Sequence, residues 1–211
     1  MFESIDNQQY SLSFTAASLR PELARIVAEI FLDCKEWKLT KKRVISENAL
    51  QSRTPSSALR MEREFRQRLQ TLTQLQIEIM DNAPADSRTA IAWLSVLKHS
   101  PFVFDFASEV LRTKLENHDD VLRPSDYENY FHAKSVSHQE LASLQPATQT
   151  KIQRVLKTML REAGILGQSP KDNSLKRPLL PPEVLSAILA DNRRWLAGFL
   201  VPDNEIVSLK D

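Results

Sequence analysis

The sequence predicts a mainly all-α protein, and three observations carry that expectation. The 211 residues include only 3 glycines and 7% aromatic residues, while the strong helix formers Leu, Ala, Glu, Arg and Gln are abundant. Apolar residues recur every three or four positions along most of the chain. Ser, Thr and Pro stand where these patterns begin. The expected architecture has two parts: a helical bundle containing a helix-turn-helix over residues 1–118, then a winged-helix-like domain with a small β-hairpin over residues 119–211. The length suits one or two domains with a sizeable core.

Taken in order, residues 1–20 read as a polar lead-in whose alternating Tyr10, Leu12 and Phe14 dock on the core. Pro21 opens a helix with Leu23, Ile26, Val27, Ile30, Phe31 and Cys34 on one stripe. Trp37 follows and is expected to pack under the next turn. The stretch from Thr40 to Leu72 then gives the outline of a helix-turn-helix. Its first helix carries Val44, Ile45 and Leu50, its turn is QSRT, and its second helix is capped by Thr54 with Pro55 in the first turn. Thr73 caps a short helix over 74–80, and DNAPADS ends it. A helix from Ala85 to His99 carries Ile91, Trp93, Leu94 and Leu97 inward. Pro101 starts another, with Phe102, Phe104, Phe106 and Val110 inward. The polar break NHDDVLRP is the expected boundary.

The second helix of the pair has two faces. Ala58, Met61, Phe65, Leu69 and Leu72 share one side, and Ser56, Arg60, Arg63 and Gln67 share the other. The polar side offers cations for phosphates and forked donors for guanine edges. With Lys41, Lys42, Arg43, Arg53 and Ser57 it makes the first candidate DNA surface. A solvated basic helix outside a bundle is the bland alternative.

After the boundary, Ser125 and Asp126 are expected to cap YENYFHAK, and Ser137 with Glu140 has the spacing of a capping box. The next helix puts Ile152, Val155, Leu156, Met159 and Ala163 on its apolar side and Thr150, Arg154, Lys157 and Arg161 opposite. The polar offsets repeat those of Ser56, Arg60, Arg63 and Gln67. Gly164 suits the left-handed residue that ends such a helix. Ile165-Leu166 and Leu179-Leu180 are expected to pair as a hairpin. Its loop would carry Lys171, Lys176 and Arg177, and these with Lys151 complete the second DNA surface. A helical hairpin with a disordered loop is the alternative. A helix over 182–190 and the segment RRWLAGFLVP then pack back on the body.

Charge supports a polyanionic partner through its distribution, not its total of +1. Residues 35–70 carry ten Lys/Arg against four Glu, and residues 150–177 carry seven against two acids, on an otherwise acidic chain. Chemistry is hard to find. No phosphate-cradling glycine motif is present. His99, His118, His132 and His138 lack metal-ligand spacing, so no metal and no cofactor are expected. Asp119, Asp120, Asp126 and Glu128 could hold a cation for nuclease work, but acids are favoured at helix starts in any case. The lone Cys34 and the absence of a signal or membrane segment point to a cytoplasmic protein.

Four segments carry a resemblance to a known family: YSLSFTAASL, EWKLTKKRVISENALQSRTPSSALRMEREFRQRLQTLT, DYENYFHAK and KIQRVLKTMLREAGIL. Together they resemble the BrxA family, a small core component of BREX (bacteriophage exclusion) defence systems, over about residues 10–200. The resemblance implies an all-helical fold with helix-turn-helix elements, double-stranded DNA binding and no enzymatic activity. It also implies partners among the other BREX subunits: a DNA methyltransferase, an ATPase and a phosphatase-like protein. The expected function is thus a DNA-binding accessory protein, monomeric on its own. A protein-interaction adaptor that docks acidic partner surfaces is the main rival.

Overall fold

Local start signals set most of the helices. In the computed structural model, which describes residues 9–209, Pro21 opens α1 (Pro21–Cys34). The helices α2 (Trp37–Ser46), α3 (Pro55–Leu69), α4 (Gln74–Asn82) and α5 (Ala85–His99) follow. Thr54 and Thr73 both cap as expected, each accepting from the backbone N–H three residues on. The lead-in forms a single 3-10 turn (Ser13–Ala16) and buries Tyr10 and Phe14. Its first eight residues, and the last two of the C-terminal region, lie outside the described residues.

The helix pair around the first basic island is built differently from its sequence outline. α2 starts at Trp37, whose ring stacks on Phe31 at 3.8 Å, and it ends at Ser46. Leu50 is buried from the turn and not from a helix. Asn48 and Gln51 take left-handed backbone here, so the connection runs over residues 47–54 and is longer than QSRT.

The centre of the molecule is α5. Every residue from Ala90 to Leu97 is buried, the pattern of a helix surrounded on all sides. Trp93 donates from Nε1 to the Gly198 carbonyl at 3.0 Å. A Cβ on Gly198 would come within 2.5 Å of Leu97 Cδ1, so a side chain there would force the buried Leu97 to shift. A long helical run follows, α6 (Pro101–Asp105), a π turn (Phe106–Leu111) and α7 (Arg112–Glu116). The extra residue of the π turn rotates later positions by about 100°. Leu111 is therefore fully buried where Val110 was expected, and Val110 is half-buried.

The second half holds α8 (Pro124–Ser137), α9 (Gln139–Ala142), α10 (Pro146–Glu162), α11 (Pro182–Leu189), a 3-10 turn (Arg193–Phe199) and α12 (Asp203–Ser208). Proline again moves a start. α8 begins at Pro124, and Asp126 accepts from the Arg123 N–H at 2.7 Å, so Ser125 and Asp126 lie inside the first turn. The Ser137–Glu140 box does not form. α8 continues through Ser137, and Glu140 instead accepts from the Tyr10 N–H at 2.7 Å.

The expected hairpin and winged helix are also absent: the described residues hold no strand. Ile165-Leu166 does not pair with Leu179-Leu180. Leu166 makes an isolated antiparallel bridge to Leu175, and Val121 makes another to Ser174. The return segment is 174–176 instead, with Gly167 N–H donating to the Ser174 carbonyl and Lys176 N–H to that of Ile165. The segment 120–122 occupies the other side of 173–175, with Leu122 N–H donating to Asn173 and Leu175 N–H to Asp120. Pro178 and Pro181 remove donors from the run where the expected return strand would lie. Buried residues on both sides of the 118/119 break join one apolar cluster, from Tyr10 to Ile206.

Candidate nucleic-acid interface

The first basic face is divided between exposed cations and cations held inside. Arg60 and Arg63 on α3 are exposed, as are Ser56, Lys41, Lys42 and Arg53. Gln67 is half-buried. Ser57 is spent on the cap: its N–H donates to Thr54 Oγ1 at 3.2 Å and its hydroxyl to the Thr54 carbonyl at 2.9 Å. Arg43 pairs with Asp33 at 3.0 Å and Glu47 at 3.1 Å. These acceptors, Asp33 first, raise its pKa above the ordinary arginine value.

Glu62, Glu64 and Arg68 are buried, although they lie on a helix that reads as half-solvated. Arg66 donates to Glu62 at 2.6 Å and Arg68 to Glu64 at 2.8 Å. Burial lowers the pKa of the Arg68 guanidinium, and the Glu64 carboxylate opposes that shift. The signal was present in the sequence as two interleaved Glu→Arg pairs four residues apart, at 62/66 and 64/68. Three of the ten cations in the first island (Arg43, Arg66 and Arg68) are thus engaged in ion pairs.

The second face divides in the same way. Thr150, Lys151 and Arg154 on α10 are exposed, and Lys157 is half-buried. Opposite them Ile152, Leu156, Met159 and Ala163 are buried, with Val155 packed at the edge. Gly164 ends the helix at φ +72°, in the left-handed region expected of it. Arg161 turns away from this face and donates to the Ser169 and Pro170 carbonyls at 3.4 and 3.3 Å, which pins the loop. In that loop Lys171 and Lys176 are exposed. Arg177 makes two hydrogen bonds to the Glu205 carboxylate at 2.9 and 3.0 Å.

Sequence reasoning missed what joins the two faces. The segment 13–20 runs as a strap between α3 and α10. Arg68 donates to the Ala17 and Ser18 carbonyls, both at 2.8 Å, and to Phe14 at 3.4 Å. From α10, Glu162 accepts the Ser18 hydroxyl at 2.9 Å and the Leu19 N–H at 2.6 Å. One helix therefore holds the strap by its carbonyls and the other by its donors. A groove of about 240 Å³ lies along it, with Met61 of α3 on one side and Arg154, Val155 and Thr158 of α10 on the other.

Two of the four acids weighed for a nuclease, Asp119 and Asp126, are held in ion pairs. Asp119 contacts Lys114 and Arg123, each at 2.6 Å, and Asp126 contacts Lys114 at 2.9 Å. Hydrogen bonds from Lys114 and then Arg123 hold the Asp119 carboxyl down at about 2. No group of three or more His, Cys, Asp or Glu among the described residues could hold a metal. No helix among them is long and apolar enough to cross a membrane. Cys34 is half-buried with a free thiol.

Comparison with known proteins agrees with this architecture. The BrxA family profile matches residues 8–192. A BREX protein BrxA of Bacillus cereus (strain H3081.97) is 29% identical over 156 residues, covering 74% of this chain and 78% of that protein. A BREX protein BrxA of Escherichia coli O9:H4 (strain HS) is 24% identical over 165 residues, covering 78% and 77%. The crystal structure of an uncharacterized protein from Magnetospirillum magneticum has a TM-score of 0.79 at 21% identity and covers 92% of this chain and 98% of that one. That likeness is one of fold.

Proposed function

The chain belongs to the BrxA family, and from that premise we propose that it is a non-enzymatic, double-stranded DNA-binding accessory protein of a BREX phage-defence system. One observation carries the reading. The exposed residues Ser56, Arg60 and Arg63 of α3 and Thr150, Lys151 and Arg154 of α10 belong to helices tied to the same strap. Cations of this kind, outside the ion pairs found among the described residues, are suited to phosphate contact, which supplies most of the affinity of DNA-binding proteins. In this proposal Lys41, Lys42, Arg53, Lys171 and Lys176 extend the cationic surface. Arg43, Arg161 and Arg177 contribute less because their donors are already engaged. The division at 118/119 gives one DNA-contacting helix to each half.

The test is fluorescence anisotropy of purified protein with labelled duplex DNA over a salt series, without nucleotide or metal. Affinity is expected to fall steeply, with a log–log slope of about −0.9 per neutralised phosphate. A flat salt response would overturn a phosphate-dominated interface. One observation favours a second reading. Leu59 and Leu39 are exposed on the α2–α3 pair, at 46% and 47%, beside the cations. An apolar and basic surface of that sort also suits docking to another subunit, such as the methyltransferase, ATPase or phosphatase-like protein. Absence of DNA binding at low salt would favour it.

A further inference from the structure

We propose that Arg20 and Arg154 form a single seat for one phosphate of the DNA backbone, in the groove between α3 and α10. The inference rests on the DNA-binding reading and adds to it a residue, Arg20, that belongs to neither basic helix. Three observations support it. Arg20 and Arg154 are the charged residues among those that line the groove, and both are exposed. The groove therefore carries two positive charges and no acid. The nearby Glu162 is occupied by the Ser18 hydroxyl and the Leu19 N–H.

Arg20 is also held in an unusual conformation. Its backbone is left-handed at φ 42° and ψ 66°, although it is not glycine, and Pro21 follows directly. Its carbonyl accepts from Leu23 and Ala24 at 3.1 and 3.2 Å, so the start of α1 fixes it there. Strained positions of this kind concentrate at functional sites. The strap that ends at Arg20 is fastened to α3 by Arg68 and to α10 by Glu162. A phosphate between the two helices is what a duplex touching both would present. The groove, about 240 Å³, is large enough for a phosphodiester group.

The experiment measures duplex affinity and its salt slope for wild type, Arg20→Asn, Arg20→Lys, Arg154→Ala and the Arg20→Asn/Arg154→Ala double variant. Asn tolerates left-handed backbone, so the charge is removed without a new conformational demand. Arg20→Gly serves the same purpose should Arg20→Asn melt early. Each charge-removing single variant is expected to weaken binding several-fold, while Arg20→Lys retains most of the affinity. Because both arginines act on one phosphate, the two losses should not add. The double variant should lower the magnitude of the salt slope by about 0.9, the share of a single phosphate. Wild-type affinity in folded Arg20→Asn or Arg20→Gly would overturn the seat while leaving DNA binding intact. A double variant that loses the sum of the two, with a slope change near twice that value, would show two separate phosphates and also overturn it. If the wild-type protein binds no duplex, the DNA-binding reading fails and this inference fails with it.

Discussion

Arg68 is the residue on which the helix packing turns. It is 2% exposed and its partner Glu64 is 1% exposed, and their pair would be costly without further bonds. The guanidinium meets that demand by also donating to three strap carbonyls. Arg68→Met should therefore destabilise the protein by about 3–5 kcal/mol in urea unfolding, because Glu64 would be left buried and unpaired. Arg60→Ala, on an exposed turn of the same helix, should stay within about 0.5 kcal/mol. Equal effects would show that burial does not separate the two arginines. His99 lies close by, 3.2 Å from the Ser13 hydroxyl. Burial lowers its pKa below the ordinary 6.5, and the Arg68 charge acts in the same direction against a Glu64 contribution that raises it. The unfolded chain then binds the proton more readily. Stability from neutral His99 is present above about pH 6.5 and is lost as the pH falls through the depressed folded value. Urea midpoints should decline on acidification below that point, and His99→Gln should flatten this part of the profile. An unchanged profile in the variant would remove His99 as the cause.

Among the elements, those set by short-range signals were legible in advance and those set by distant partners were not. Thr54, Thr73 and Pro21 act on their own first turn, so α1, α3 and α4 start where the sequence places them. The same physics explains the small errors, since Pro124 overrides Ser125 and Asp126 as the start of α8. The expected hairpin did not form because 165–167 pair with 174–176, ahead of Pro178 and Pro181, while residues 120–122, far off in sequence, pair with the opposite edge of 173–175. The two exposed basic faces were visible as periodicity. The strap joining them was not, because Arg68–Ala17 and Glu162–Leu19 are contacts 51 and 143 residues apart. The loop after α10 gives a test at this scale. Lys171→Ala with Lys176→Ala should weaken DNA binding similarly on every sequence tested, since such residues touch backbone and not bases. The melting temperature should hardly move, because both are exposed. Adding Arg177→Ala removes an exposed pair with Glu205, worth about 0–1 kcal/mol of stability. A large loss of stability from the first two changes would mean that the loop is structural.

At the scale of the whole molecule, the question is whether the two basic helices act as one surface. The described residues join in one apolar cluster, and the strap is bonded to both helices. A duplex that meets α3 would then find α10 at a fixed distance, with no linker to reorganise first. The alternative is that one face binds DNA while the other docks a partner subunit. Charge reversal separates these cases, because Arg60 and Arg154 are both exposed and opposite the buried sides of their helices. Arg60→Glu and Arg154→Glu should each weaken duplex binding by roughly 1–3 kcal/mol, the range for a good contact, with added repulsion. Circular dichroism should show both variants folded. If both helices engage one duplex through separate contacts, the double variant should lose about the sum, since residues without a shared partner usually add. If a single helix binds, one single variant will match wild type and the double will match the other. Normal binding by both folded single variants would sink the two-helix model and leave the basic faces as docking surfaces for another subunit. The shared seat proposed for Arg20 and Arg154 adds one constraint. Coupling should appear between those two positions and be absent between Arg60 and Arg154, so the two cycles together locate the DNA on the surface.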